Sequence, residues 1–125
     1  MKGKKFPKEI VAAIREAKIL GIRAGTKPHR IIGIWAVVVE GRVFVRSWSL
    51  KQRSWYRTFL EEPRGMIEVN GRKIPVRAAF TRSERLKTAV DRAYAEKFPT
   101  PGSRLFVAGF KEKKRRDTTT ELLPL

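Results

Sequence analysis

Cysteine is absent from the 125 residues, which excludes disulfide frameworks, thiolate zinc sites and thiol nucleophiles together. Histidine occurs once, as His29, so a metal site would need a carboxylate cluster. The acids stand singly or paired on expected helices rather than at ligand spacing. A Ser–His–acid triad would rest on that same His29, which lies between Pro28 and Arg30 as a loop residue does. No Gly-x-Ser-x-Gly elbow, phosphate-binding loop or dinucleotide Gly-x-Gly-x-x-Gly is present. Glu61 and Glu62 are neighbours on a helix end and point about 100° apart, so they cannot face each other across a substrate. No stretch approaches about 18 apolar residues, and the positive Met1-Lys-Gly-Lys-Lys5 start is not followed by the apolar run of a secretory signal. The expectation is a cytoplasmic protein with no membrane partner and no metal.

Acids are scarce as well, 12 against 29 Lys+Arg, for a formal net charge of +17. Residues 1–8 form a basic N-terminal tail with Lys2, Lys4, Lys5 and Lys8, and residues 111–117 read as a basic loop carrying Lys113, Lys114, Arg115 and Arg116. Such segments attract polyanions through counterion release; the competing reading is a solvated face that keeps the chain soluble. With 42% hydrophobic and 10% aromatic residues, a core can be buried, and the length suits one domain over residues 1–125.

The spacing of Ile10, Val11, Ile14 and Ala17 after Pro7 predicts a short amphipathic helix. Residues 19–26 are a weaker strand candidate because of Gly21, Gly25 and the Lys27-Pro28 step. Residues 30–39 are apolar on both alternating faces, as a central strand buried on two sides requires, and Trp35 within it reads as core. Glu40-Gly41 turns the chain into 42–48, which puts Val43, Val45 and Ser47 on one face and Arg42, Phe44, Arg46 and Trp48 on the other.

Ser54 caps a helix over 55–61 that Pro63 ends. Asn70-Gly71 joins strands 66–70 and 72–80, with Pro75 marking an edge strand or a bulge. Ser83 caps a helix over 84–98 striped by Leu86, Val90, Ala93, Tyr94 and Phe98, and Pro99-Thr-Pro-Gly102 ends it. A last strand pair is expected at 104–110 and 118–123. About six antiparallel strands with two or three covering helices imply a small α+β barrel or sandwich.

Elimination leaves either a bound redox cofactor with chemistry of its own or no catalysis. The parts of a slot are present: Arg46 and Trp48 on one strand face, and Trp55, Tyr56 and Arg57 opening a capped helix, offer flat surfaces for a ring and cations for a phosphate. At most two of the three consecutive helix residues can face one pocket, and Trp55 packing with Phe59 beneath the helix is an equal alternative.

The run Ile34-Trp-Ala-Val-Val-Val-Glu-Gly-Arg-Val-Phe-Val-Arg-Ser47, then Trp55-Tyr-Arg57, Gly65-Met-Ile67, Gly71-Arg-Lys-Ile-Pro-Val-Arg77 and Leu86 to Phe98, resembles an uncharacterised bacterial family of the split β-barrel flavin-binding superfamily. More distantly it is similar to the deazaflavin-dependent nitroreductases, through Trp55-Tyr-Arg-Thr-Phe59, Pro75-Val-Arg77 and Leu122-Leu-Pro124. The resemblance implies a split β-barrel, often a homodimer with its cofactor near the subunit interface, binding FMN, a deazaflavin or occasionally haem. It puts Arg46 and Ser47 near a cofactor's phosphate or ring edge and Trp55 and Tyr56 near its ring. Gly25-Thr-Lys-Pro-His-Arg30 stands where the deazaflavin enzymes have Gly-Arg-Lys-Ser-Gly. The Asn of their Trp-Tyr element is absent, which leaves the cofactor open between FMN and a deazaflavin. The expected cofactor-binding set is thus Arg30, Arg46, Ser47, Trp48, Trp55, Tyr56 and Arg57, in an oxidoreductase. The alternative is a non-enzymatic basic barrel serving as a dimeric interaction or nucleic-acid-binding module.

Overall fold

Seven strands and five helices follow one another in the residues that the computed structural model describes, 5–125: α1 (Lys8–Glu16), β1 (Leu20–Ala24), β2 (Ile32–Ile34), β3 (Ala36–Val39), β4 (Arg42–Val45), α2 (Trp55–Glu61), β5 (Arg64–Val69), β6 (Arg72–Phe80), α3 (Glu84–Lys97), α4 (Pro101–Phe110), α5 (Lys113–Arg116) and β7 (Thr120–Pro124). Lys2 and Lys4 of the basic tail lie outside the described residues. No helix among those described is long and apolar enough to cross a membrane.

Every strand pair is antiparallel, in the order β2-β1-β5-β6-β7-β4-β3. The two ends of that order, β2 and β3, are separated in sequence only by Trp35, so the sheet has to curl until its edges meet there. The result is a nearly closed α+β barrel with a seam at Trp35. Its two tight hairpins use the expected turns, with positive φ at Glu40 (55°) and Gly41 (73°), and at Asn70 (52°) and Gly71 (75°), the backbone that matches strand twist.

Three expectations change. Residues 30–39 are not one central strand but β2 and β3 on opposite edges of the seam. β3 is covered on both faces all the same, because Ala36 faces the barrel interior while Val37 meets the helical layer outside. Residues 104–110 are helical, not a strand: Pro101 starts α4 instead of only ending α3, and β7 already has both its ladders filled by β6 and β4. β6 is interior rather than an edge; Pro75 lies past the last residue pair of its β7 ladder, Val76 with Pro124.

Two apolar clusters follow. Inside the barrel, Ile10, Val11 and Ile14 of α1 and Trp55 and Phe59 of α2 pack on Leu20, Ile22, Val43, Val45, Ile67, Val76 and Leu122. Outside, Val37 and Phe44 meet Leu86, Val90, Tyr94 and Phe98 of α3 and Val107 and Phe110 of α4. The alternation along β4 therefore serves both clusters, as the sequence pattern requires.

Gly65 lets α2 sit close to β1 and β5, for a Cβ there would lie 2.5 Å from the Arg23 carbonyl oxygen and 2.8 Å from a Phe59 ring carbon. Gly65→Ala is expected to lower the unfolding free energy by about 1–3 kcal/mol, the cost of overpacking. Gly102→Ala, on a helix where a Cβ meets nothing within 4 Å, should be neutral or stabilising by up to about 1 kcal/mol. Urea titrations of the two variants check both; a Gly65→Ala midpoint equal to the parent's would refute the close contact.

Candidate functional site

The seam becomes a site because a buried hydrogen-bond network holds its walls. Arg46 follows β4, and its side chain is fully covered. Its Nε donates to Thr119 Oγ1 (2.8 Å), Nη1 to the Phe110 carbonyl (3.1 Å) and the Asp91 carboxylate, and Nη2 to the Lys87 carbonyl (2.8 Å). Burial pulls its pKa below the ordinary arginine value, against the opposing pull of Asp91. The Arg46 amide donates to Tyr94 Oη (3.1 Å), which donates in turn to the Trp35 carbonyl (2.9 Å). One tyrosine hydroxyl thus satisfies two backbone groups where β4 has ended and the β2–β3 run is interrupted. Its complete burial raises its pKa well above the ordinary value.

Beside this network lies a cleft of about 620 Å³ lined by β2, the 46–55 segment and α4, within the usual range of about 300–1,000 Å³ for small-molecule sites. All three tryptophans of the chain, Trp35, Trp48 and Trp55, line it, with Phe106 and Phe110. Trp35 stacks on Phe98 (ring centroids 4.0 Å apart, planes 7° apart) and meets Phe106 edge-on at 5.9 Å. Trp48 meets Phe106 at 5.0 Å and Phe110 at 5.6 Å. The polar lining is Arg46, Ser47, Ser49, Lys51, Arg53 and Ser54. No Asp, Glu or His lines it. Among the described residues neither Lys51 nor Arg53 has an acid partner, and no three His, Asp or Glu side chains gather as a metal-binding group.

Of the seven residues expected to hold a cofactor, the structure brings Arg46, Ser47, Trp48 and Trp55 to this cleft. Arg30 is exposed on the β1–β2 connection and Arg57 on the outer side of α2, while Tyr56 packs against Phe80 (5.7 Å); none of these three lines the cleft. The Arg46 guanidinium spends four of its five N–H donors on the protein itself, so its place is in the scaffold. Ser47 is also occupied: its amide donates to Thr118 Oγ1 (2.9 Å) and its hydroxyl to the Ser49 carbonyl (2.6 Å). Trp55 serves as core and cleft wall at once.

Sequence reasoning missed Lys51 and Arg53, in a segment without periodicity, and Phe106 and Phe110, assigned to a strand. The run Ser49 to Ser54 between Trp48 and Trp55, polar except for Leu50, was the available signal, a loop held between two aromatic anchors. Residues 111–117, read as a loop, contain α5, and most of its charges are paired. Arg116 reaches Glu84 (2.7 Å) and Asp91 (3.1 Å), Lys113 reaches Asp117 (2.8 Å), and Arg115 reaches Glu112 (3.5 Å).

Behind Trp35, the Lys97 ammonium donates to the Ile14 (2.9 Å) and Ala36 (2.6 Å) carbonyls with its Nζ 5.5 Å from the centre of the Phe98 ring. Burial pushes its pKa down to about 8 from an ordinary 10.5. Between those values the unfolded chain binds the proton more tightly than the folded one, so stability rises with pH across that window and the cost of the charged form applies below it. Denaturant midpoints measured against Lys97→Met should show the parent gaining on the variant from pH 8 to 10.5; a constant difference across that span would contradict the burial. Arg46→Met should cost about 3–5 kcal/mol in the same assay, because it breaks a buried ion pair, leaving Asp91 to Arg116 alone, and removes the side-chain donors to Thr119 and to the Phe110 and Lys87 carbonyls.

The comparisons with known proteins agree with this architecture. A conserved hypothetical protein of Mycobacterium tuberculosis, Rv2991, superposes with a TM-score of 0.58 at 13% identity, over 100% of this chain and 85% of that one. A NimC/NimA family protein of Clostridium acetobutylicum superposes with a TM-score of 0.56 at 17% identity, over 94% of this chain and 80% of that one. These likenesses identify the fold as a split β-barrel. No curated protein matches the sequence. Residues 9–122 match a family described as uncharacterized proteins conserved in bacteria, DUF2255; with nearly its whole length inside that match, the chain belongs to this family.

Proposed function

We propose that the cleft binds a flavin-type cofactor, FMN or a deazaflavin, and that the protein is an oxidoreductase acting through it. The observation that carries this reading is the lining: three indoles and two phenyl rings face a cavity in which, among the described residues, the uncommitted charges are the cations Lys51 and Arg53. Aromatic walls suit a planar ring, and the two cations suit its phosphate or acidic tail. A site without carboxylate or imidazole lacks the commonest general acids and bases, and in this reading hydride or electron chemistry would come from the cofactor. Lys51 and Arg53 would take the anionic end, while Trp35, Trp48 and Phe106 would face the ring. Arg46 and Tyr94 would hold those walls without touching the ligand.

In this reading the chain works as a homodimer. Trp48 (40% exposed), Phe106 (45%) and Leu105 (77%) provide apolar surface near the cleft mouth for a second copy to cover. The alternative, polyanion binding through α5, is less well supported, since of its four cations Lys114 alone lacks an acid partner among the described residues.

Titration of FMN and of riboflavin, followed by loss of flavin fluorescence, tests the proposal. Both should bind. Replacing Lys51 and Arg53 together with alanine should weaken FMN about tenfold or more, the loss of at least one charge-assisted contact, and leave riboflavin unaffected. Absence of binding by FMN, riboflavin and a deazaflavin alike would overturn the reading.

A further inference from the structure

The two aromatic walls of the cleft are held in different ways. Trp35 lies at the barrel seam, stacked on Phe98 and fixed at its carbonyl by Tyr94, so the core determines its position. Trp48 lies beyond the end of β4, in the segment leading to α2, and no ladder fixes it. It is nevertheless confined. Gly109 of α4 abuts the far edge of its indole, where a Cβ would come within 2.5 Å of both Cη2 and Cζ3. Across one face, the Arg115 guanidinium carbon stands 3.9 Å from the ring centroid, and its Nε donates to the Trp48 carbonyl (2.9 Å).

We propose that the α4–α5 corner, through Gly109 and Arg115, sets the position of Trp48 and with it which planar rings the cleft admits. Building on the flavin reading above, this assigns the two residues a part in selecting the ring rather than the anionic end. The absence of a side chain at 109 lets the indole lie flush against the helix, which keeps the slot open. Arg115 covers the opposite side of the same problem: a cation over an indole face is attracted by the ring quadrupole, and its bond to the Trp48 carbonyl fixes backbone and ring together. Neither Gly109 nor Arg115 lines the cleft. Both are positioning residues that act through Trp48. The basic segment thereby has a use for one of its charges that does not involve a polyanion.

The test labels the full chain with fluorotryptophan and follows its indole resonances by fluorine NMR, with Trp48→Phe for assignment, alongside FMN and riboflavin titrations. In Gly109→Ala and in Arg115→Ala the Trp48 resonance should move while those of Trp35 and Trp55 stay, which also reports an intact fold. Arg115→Ala should weaken FMN and riboflavin by the same factor, about fivefold as expected for loss of a cation–π contact, and Arg115→Lys should restore part of it. Lys114→Ala, at an exposed neighbour, should change nothing. A Trp48 resonance unmoved in both variants would overturn the proposal, as would an Arg115→Ala variant that loses FMN but keeps riboflavin, which would make Arg115 a phosphate contact. If the parent binds neither flavin, the flavin reading fails, and the fluorine resonance alone still decides whether this corner positions Trp48.

Discussion

A guanidinium removed from water is tolerated only if its donors are met, since desolvation of a charged group costs several kcal/mol. For Arg46 those partners come from three separate places: the Lys87 carbonyl and Asp91 on α3, the Phe110 carbonyl at the end of α4, and Thr119 just before β7. The charge is satisfied when all three are docked on the barrel and badly exposed to an apolar surround when one is not. That requirement gives the outer helical layer a single seating. Asp91 extends it by accepting from Arg116, which also bonds Glu84 and Thr88, so α5 is tied to α3 by the same chain of contacts.

The cleft depends on that seating. Its aromatic side is drawn from α4 (Phe106, Phe110), from the seam (Trp35) and from the segment after β4 (Trp48), none of which is adjacent in sequence to all the others. Tyr94 joins the layers, since its ring stacks on Phe110 (4.9 Å) while its hydroxyl links Arg46 to Trp35. One more step of the β3–β4 ladder beyond Ala36 with Val45 would pair these backbone groups with each other. Because the ladder stops there, a tyrosine from α3 pairs them instead, and the gap beside it is lined with indoles.

Much of the scaffold was legible locally. The stripes of α1 and α3, the Ser54 and Ser83 caps and both two-residue turns depend on neighbours within a few positions, where periodicity and φ preference decide. Residues 104–110 escaped because Pro101-Gly102 reads as a stop, and the choice between strand and helix was settled elsewhere, by β7 lacking a free edge. Residues 30–39 escaped because an apolar run covered on both faces looks the same in mid-sheet and at a seam backed by helices. For the candidate site, Trp48 and Trp55 were readable as flat surfaces, whereas Arg46 looked like a ligand-binding cation on the same grounds that make it a buried one.

The sequence by itself determined the absence of thiol chemistry, the scarcity of acid and imidazole, the basic charge and the principal helices and hairpins, because each follows from composition or from contacts a few residues apart. Only the tertiary structure decided which cations are left without an acid partner. Arg46 and Arg116 are consumed by partners 25 to 73 positions away, while Lys51 and Arg53 are left beside an indole-lined gap. Whether a charge is satisfied depends on which long-range groups reach it, and that is settled by the packing of the whole barrel.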